Sequence, residues 1–169
     1  MLLRLINKGV TIILVIIVLM AAANKAAALS ISTSPVTFPT VTLNGTDQTI
    51  TGSTSAWQAD ANGETLGWNI TVSSSVLENG LGKTITSQAL MIRLLDENIL
   101  WVSGEENGPV STQTSYTNLS VTPIKIASAA AGSGNGVYDL TPDFQINIPA
   151  EAYVGTYNAT LTISINAGP

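Results

Sequence analysis

Apolar and hydroxyl side chains alternate near the end of this chain, and this pattern constrains the fold more than any other feature. Leu161, Ile163 and Ile165 are separated by single hydroxyl residues, and the segments 68–73 and 144–148 alternate in the same way. Successive side chains of a β-strand point to opposite faces of the sheet. Strict alternation therefore predicts strands with one buried face and one solvent-exposed face.

The whole segment from residue 29 onward is typical of an all-β fold. It is rich in Thr, Ser, Val and Ile, it lacks apolar residues at sustained helical spacing, and Asn-Gly pairs recur along it. Asn-Gly supplies the positive φ that tight hairpins need. We predict a single immunoglobulin-like β-sandwich of about seven to nine strands over residues 29–169, with a flexible loop at the glycines of 132–136. The expected strands span 29–34, 41–43, 48–53, 68–73, 91–95, 100–103, 119–127, 143–148 and 157–166.

Residues 1–28 are predicted to be a helical secretory signal peptide. Arg4 and Lys8 precede an apolar run over residues 10–23, and Ala26 and Ala28 form an Ala-x-Ala cleavage pattern. The run is shorter than the roughly 20 residues that span a bilayer, so we expect no membrane span after cleavage.

A type IV prepilin leader is the alternative interpretation of the same segment. Cleavage would then follow Gly9 and leave the apolar helix on the mature protein. The glutamate usual at the fifth mature position is absent, because Leu14 stands there.

Composition excludes much chemistry. The 169 residues include no His and no Cys, which removes Ser-His-Asp and Cys-His nucleophiles, His or Cys zinc sites and disulfides. Cleavage after Ala28 would leave Lys83, Arg93 and Lys125 against all 11 acidic residues, so the formal charge would be 3 minus 11, or −8. We therefore expect no binding to nucleic acid or to anionic lipid.

Three segments of the chain resemble parts of one known family. The first, 60–73, reads Asp-Ala-Asn-Gly-Glu-Thr-Leu-Gly-Trp-Asn-Ile-Thr-Val-Ser. The second, 148–157, precedes the alternating strand near the C-terminus, and the third, 127–135, is a small glycine-bearing loop. Together they are similar to WxL-domain and WxL-like bacterial cell-surface proteins, over most of residues 29–169.

The resemblance places Asp60, Gly67, Trp68 and Ile70 at positions of the family's first motif. The distal Trp-x-Leu motif is represented by the segment 163–165, Ile-Ser-Ile, so the distal Trp is absent. The resemblance implies a non-catalytic surface protein that attaches to peptidoglycan, as in Gram-positive bacteria.

The three tryptophans are predicted to play different roles. Trp68 alternates with Ile70 and Val72, which favours a position in the core over a platform for a sugar ring. Trp57 and Trp101 lack such a pattern and are the expected surface contacts with a polymer.

The acidic residues suggest turns more strongly than a catalytic or metal site. Asp60, Asn62 and Glu64 are spaced like the opening of a calcium loop, but the glycine and the distant Glu of an EF-hand are missing, which favours an Asx turn. Glu105 and Glu106 are expected at a solvated loop tip. Nothing brings two carboxylates together across a cleft as glycoside hydrolysis requires, so we expect neither an enzyme nor a cofactor.

Four Asn-x-Ser/Thr triplets occur, a frequency that Ser/Thr-rich strands also produce by chance. In a protein exported by an archaeon these asparagines would serve as glycan sites, and Asn69 and Asn158 are expected to point outward. The four asparagines are Asn44, Asn69, Asn118 and Asn158.

The expected function is that of a secreted surface module held non-covalently on cell-wall polysaccharide, on peptidoglycan or on other surface proteins. No sorting motif or apolar tail precedes Pro169, so covalent anchoring is not expected. The alternative is a homopolymeric filament or pilus in which residues 29–34 of one subunit complete the sheet of its neighbour. In a monomer the same segment would form an edge strand that no charge protects.

Overall fold

The computed structural model describes residues 29–169. The predicted signal peptide and the alternative prepilin leader lie outside these residues. Within 29–169, the helical segments are the short 3-10 turns Ser87–Ala89 and Asp96–Asn98. No helix among the described residues is long and apolar enough to cross a membrane.

Strands account for the regular structure, and the prediction of an all-β fold is confirmed. The number of strands exceeds the expected seven to nine, because several are only two or three residues long. They are β1 (Ser30–Ser32), β2 (Gln48–Gly52), β3 (Trp57–Asp60), β4 (Trp68–Ser74), β5 (Leu77–Glu78), β6 (Thr84–Ile85), β7 (Leu90–Arg93), β8 (Ile99–Gly104), β9 (Val110–Ser111), β10 (Thr117–Asn118), β11 (Ile124–Ala129), β12 (Gly136–Leu140), β13 (Asp143–Ile148) and β14 (Leu161–Ala167).

The strands form three antiparallel four-stranded sheets and one small hairpin. Sheet I has the order β1-β3-β12-β8, sheet II has β10-β7-β13-β2, and sheet III has β14-β4-β11-β9, while β5 pairs with β6. Three strands of sheet I are each joined in the chain to a strand of sheet II: β3 follows β2, β8 follows β7, and β12 is followed by β13. The order β3-β12-β8 across sheet I matches the order β2-β13-β7 of their connected strands across sheet II. Sheets I and II are thus two halves of one bent layer.

Proline marks one of the places where a strand changes sheet. Only Thr141 and Pro142 separate β12 from β13, and Pro142 is fully buried. Because proline has no N–H to donate, it interrupts the ladder and the chain turns from sheet I into sheet II.

The core lies between the bent layer and sheet III. Trp57, Trp68, Tyr138 and Phe144 are its largest fully buried side chains. The Trp68 ring of sheet III lies 6.0 Å from the Tyr138 ring of sheet I, centroid to centroid. This contact joins the two layers, as a β-sandwich requires.

Several expected strand boundaries are wrong. Residues 41–43 form no strand, and of the expected strand 119–127 only residues 124–127 are in a strand, β11, because residues 119–123, which include a proline at 123, form the irregular connection from β10. The last strand begins at Leu161 rather than at 157. The sequence patterns miss six strands, β3, β5, β6, β9, β10 and β12, and β12 begins at a glycine expected in the flexible loop.

Candidate functional site

Trp68 is part of the core, as its alternation with apolar neighbours predicts. It is fully buried, and its indole Nε1 donates a hydrogen bond to the carbonyl oxygen of Gly134 at 2.8 Å. A buried indole whose N–H has a partner stabilises the fold. The prediction of a core position is confirmed, and this ring is not accessible to a ligand.

The segments 60–73, 127–135 and 163–165 meet around Trp68. Gly67 has φ +78°, and a Cβ on it would lie 2.4 Å from the Ala129 carbonyl oxygen. Ile70, also fully buried, lies opposite Ile165 where β4 pairs with β14. The first motif, the distal motif and the glycine-bearing loop are therefore neighbours in the folded protein.

Asp60 forms an Asx turn. Its Oδ1 accepts hydrogen bonds from the backbone N of Asn62 at 3.0 Å and from the Asn62 side chain at 2.8 Å. The buried Glu64 carboxylate accepts from the backbone N of Thr65 and Leu66 at 2.9 and 2.7 Å. These acids organise the turn before β4. Within residues 29–169, no group of three or more acidic side chains could hold a metal ion.

The expected surface role of Trp57 is wrong, because its side chain is fully buried. Strand β3 alternates between buried Trp57 and Ala59 and exposed Gln58, so its tryptophan points into the core. The Trp57 ring packs against Phe144 with centroids 5.9 Å apart. The alternating order Trp-Gln-Ala-Asp-Ala was the sequence signal for this strand.

Trp101, in contrast, is half exposed and belongs to an apolar surface strip. The strip consists of Leu100, Trp101 and Val102 on β8, which are 59%, 50% and 46% exposed. Strand β8 is the last strand of sheet I and pairs with β12 on one side only. An edge strand presents unpaired backbone N–H and C=O groups, so this strip has both apolar side chains and free hydrogen-bonding capacity.

A β-bulge directs the side chains of the strip. Tyr138 of β12 lies opposite Trp101, Asp139 lies opposite Leu100, and the register shifts at Val102. Since residues opposite each other share a face, Trp101 lies on the core side of the sheet and Leu100 on the outer side. Both faces of β8 therefore carry an apolar side chain.

Acidic residues lie before and after the strip in the chain. Exposed Asp96 and Glu97 precede β8, and Glu105 and exposed Glu106 follow it. Glu105 is partly buried, its carboxylate accepts a hydrogen bond from the backbone N of Asn135 at 3.3 Å, and its carbonyl accepts one from Tyr138. These hydrogen bonds hold Glu105 beside β12, so the expectation of a solvated loop tip is wrong for Glu105. Glu106 is exposed, in agreement with that expectation.

The segment predicted to complete a neighbouring sheet pairs within its own chain. β1 spans Ser30–Ser32 and is antiparallel to β3, with Ile31 opposite Ala59. It forms the edge of sheet I that lies opposite β8.

A second apolar surface feature is a groove of about 700 Å³ beside β2, between the segments 38–43 and 152–157. The residues 41–43, which were expected to form a strand, line this groove. Tyr153 stands at its rim, and the Lys83 ammonium lies 4.1 Å from the centre of that ring.

The four candidate glycan acceptors differ in their surroundings. Asn44, Asn118 and Asn158 are exposed. The Asn69 side chain is partly buried, and its amide nitrogen donates to the Gly168 carbonyl at 2.7 Å. Asn69 lies on the outer face of β4, as expected, but its amide is engaged in a hydrogen bond that bridges β4 and the end of β14.

Among residues 29–169, the pKa values of two titratable groups are shifted. The hydrogen bond from Arg93 Nε to the Asp143 carboxylate, 2.8 Å long, raises the pKa of Arg93 against the opposing effect of desolvation. Burial raises the pKa of the Tyr138 phenol, and the negative charge of Glu105 raises it further. Both shifts have structural causes.

Comparison with known proteins gives a distant structural likeness. No family model and no curated protein matches the chain. Among solved structures, the chain is similar to part of a family 123 glycoside hydrolase from Clostridium perfringens, whose structure was solved to explain glycolipid glycan hydrolysis. The TM-score is 0.39 and the sequence identity is 16%. The likeness covers 80% of this chain and 25% of the hydrolase, so this chain spans about a quarter of that protein's length.

Proposed function

We propose that this protein is a secreted, non-catalytic module of the cell surface that associates non-covalently with cell-wall polymer or other surface proteins. The apolar strip on β8 is the observation that carries this proposal, because it exposes three large apolar side chains in succession on an unpaired edge. Contiguous exposed apolar patches are typical of interaction sites. Trp101 would be the central contact residue, since tryptophan is enriched in binding hot spots.

The resemblance to WxL-like proteins supports the same function. Its motif residues Gly67, Trp68 and Ile70 are buried, so they would maintain the fold while β8 makes the contacts. The leader over residues 1–28 would direct export, and the mature protein would begin at Leu29. The absence of His and Cys from the sequence supports a binding role over a catalytic one.

A pull-down with insoluble cell wall and with intact cells tests this function. We expect the native protein to be retained and Trp101→Ala to be retained several-fold less. Tyr153→Ala is the matched control, because Tyr153 is a comparably exposed aromatic residue beside a different surface feature and should leave retention unchanged. Lack of retention of the native protein in both assays would remove the proposal.

The alternative function is that of a filament subunit, in which a neighbouring chain extends sheet I. The observation that favours it is the pair of uncharged edges, β1 and β8, on opposite sides of this sheet. Electron microscopy of the purified protein separates the two functions, because rods would indicate a filament and dispersed particles a monomeric module.

A further inference from the structure

Strand β8 has the properties of an acceptor for strand addition. It spans six residues, Ile99–Gly104, carries no charge, and is unpaired on one side. An extended peptide that adds to such an edge gains main-chain hydrogen bonds, and its alternate side chains contact the apolar groups of the acceptor.

We propose that β8 binds an extended segment of another protein, and that this segment has apolar side chains at its centre and Lys or Arg at both ends. This inference rests on the proposed function, since it names the partner class for the same strip. The partner segment would pair with β8 through main-chain hydrogen bonds and would carry its positive charges at its two ends.

The charges at the two ends of β8 carry the argument for a basic partner. Asp96 and Glu97 lie before the strand, and Glu105 and Glu106 follow it. The nearest cation along the chain, Arg93, is already paired with Asp143. A peptide paired along the full strand would place its own ends beside these carboxylates, where cationic side chains are attracted and anionic ones are repelled.

The same charges disfavour β8 of a second copy of this chain as the occupant. If β8 paired antiparallel with β8 of another copy, residues 96–97 of each chain would lie beside residues 105–106 of the other. Acidic groups would then face acidic groups at both ends, and like charges opposite each other are destabilising. The charge of −8 over residues 29–169 adds a general repulsion between copies.

The side chains of the strip define what the centre of the partner must offer. Trp101 is on one face of β8 and Leu100 is on the other. An added strand with apolar residues on both faces would cover both, whereas a strand with one polar face would leave one of them in water.

Synthetic peptides of about ten residues test this inference directly. The first has a Val-rich centre with two lysines at each end, and the second has the same centre with glutamates at the ends. Fluorescence anisotropy gives the dissociation constants, and amide chemical shifts identify the residues that bind. We expect the lysine-ended peptide to bind at least about tenfold more tightly, with shifts centred on 99–104 and an affinity that falls with salt.

Two double variants with the same change of charge isolate the role of the flanking acids. Glu97→Gln with Glu106→Gln should weaken binding of the lysine-ended peptide about three- to tenfold. Glu78→Gln with Glu151→Gln, whose carboxylates lie outside β8 and its flanks, should leave it unchanged. Val102→Lys should reduce binding of this peptide by about tenfold or more, since a charge on an edge strand opposes pairing.

Several results would overturn the inference. These are no binding of either peptide, equal binding of both, shifts centred outside β8, or sedimentation showing that β8 is occupied by a second copy. If the peptides fail while cell-wall retention still depends on Trp101, the proposed function stands and the strand-addition inference falls. If the native protein is not retained on cell wall or cells while the lysine-ended peptide binds as described, the proposed cell-surface function is wrong and the inference about β8 stands.

Discussion

Trp57 and Trp68 are both fully buried, yet their indole N–H groups have different surroundings. The Trp68 Nε1 donates to the Gly134 carbonyl at 2.8 Å, whereas the Trp57 Nε1 has no hydrogen-bond partner among residues 29–169. Replacing either indole by phenyl leaves space in the core, but only the change at Trp68 also leaves a carbonyl without its partner.

We expect Trp68→Phe to lower the free energy of unfolding by about 1–3 kcal/mol more than Trp57→Phe does. Urea denaturation followed by far-ultraviolet circular dichroism measures both variants against the native protein. Equal losses at the two positions would mean that the Trp68 hydrogen bond adds no stability beyond packing.

A comparison of Gly67 with Gly45 distinguishes the energetic cost of a positive φ from the cost of a steric clash with a neighbouring strand. Both have φ +78°, but a Cβ on Gly67 would lie 2.4 Å from the Ala129 carbonyl oxygen, while a Cβ on Gly45 would meet nothing within 4 Å. Alanine at either position incurs the cost of positive φ, about 1 kcal/mol. Only at Gly67 must the strands β4 and β11 also move apart.

Gly67→Ala should therefore destabilise the protein by about 2 kcal/mol or more beyond Gly45→Ala. Thermal unfolding of the two variants tests this, with a lower Tm expected for the Gly67 variant. Similar Tm values would show that the contact between the two strands yields easily.

Strand β8 contributes surface more than stability. Five of its six residues are exposed. Such a strand stabilises the core little, but it offers an edge and an apolar strip to a partner.

Trp101→Ser should change the free energy of unfolding by no more than about 0.5 kcal/mol, the usual effect of a surface substitution. Retention of the Trp101→Ser variant on cell wall or on cells should nevertheless fall several-fold. Denaturation and pull-down of the same preparation measure both, and a large loss of stability would show that Trp101 belongs to the core.

Tyr138 links the two layers of the sandwich to each other and to the loop after β8. Its ring packs on Trp68, and its hydroxyl donates to the backbone carbonyl of Glu105. Burial, followed by the charge of Glu105, raises the pKa of this phenol above its ordinary value. The folded state therefore holds the proton more tightly than the unfolded state does.

The stability that this phenol contributes should be fully present below its unfolded pKa of about 10, and it should be lost as pH rises through the higher pKa of the folded state. Tyr138→Phe should show a smaller alkaline loss of stability than the native protein, although it is less stable at neutral pH. Urea denaturation from pH 7 to about pH 11 measures this. Parallel curves for the two proteins would exclude Tyr138 as the responsible group.

Local patterns predicted those parts of the fold that depend on alternation alone. Trp68, Phe144 and Ile146 lie where their spacing with polar residues indicates, because a strand with one buried face imposes a period of two. Trp57 follows the same rule, but only four residues of β3 carry the pattern, and so short a run does not by itself predict a strand.

Residue patterns alone establish that this chain forms β-sheets with an apolar interior, and that its acids greatly outnumber its cations after residue 28. Strand pairing in the folded protein establishes that β8 is an unpaired edge, that Trp101 is exposed there and Trp57 is not, and that segments far apart in the chain meet at Trp68. This division arises because alternation is a local property of each strand. The order of strands in a sheet depends on pairing between segments far apart in the chain, which no local pattern encodes.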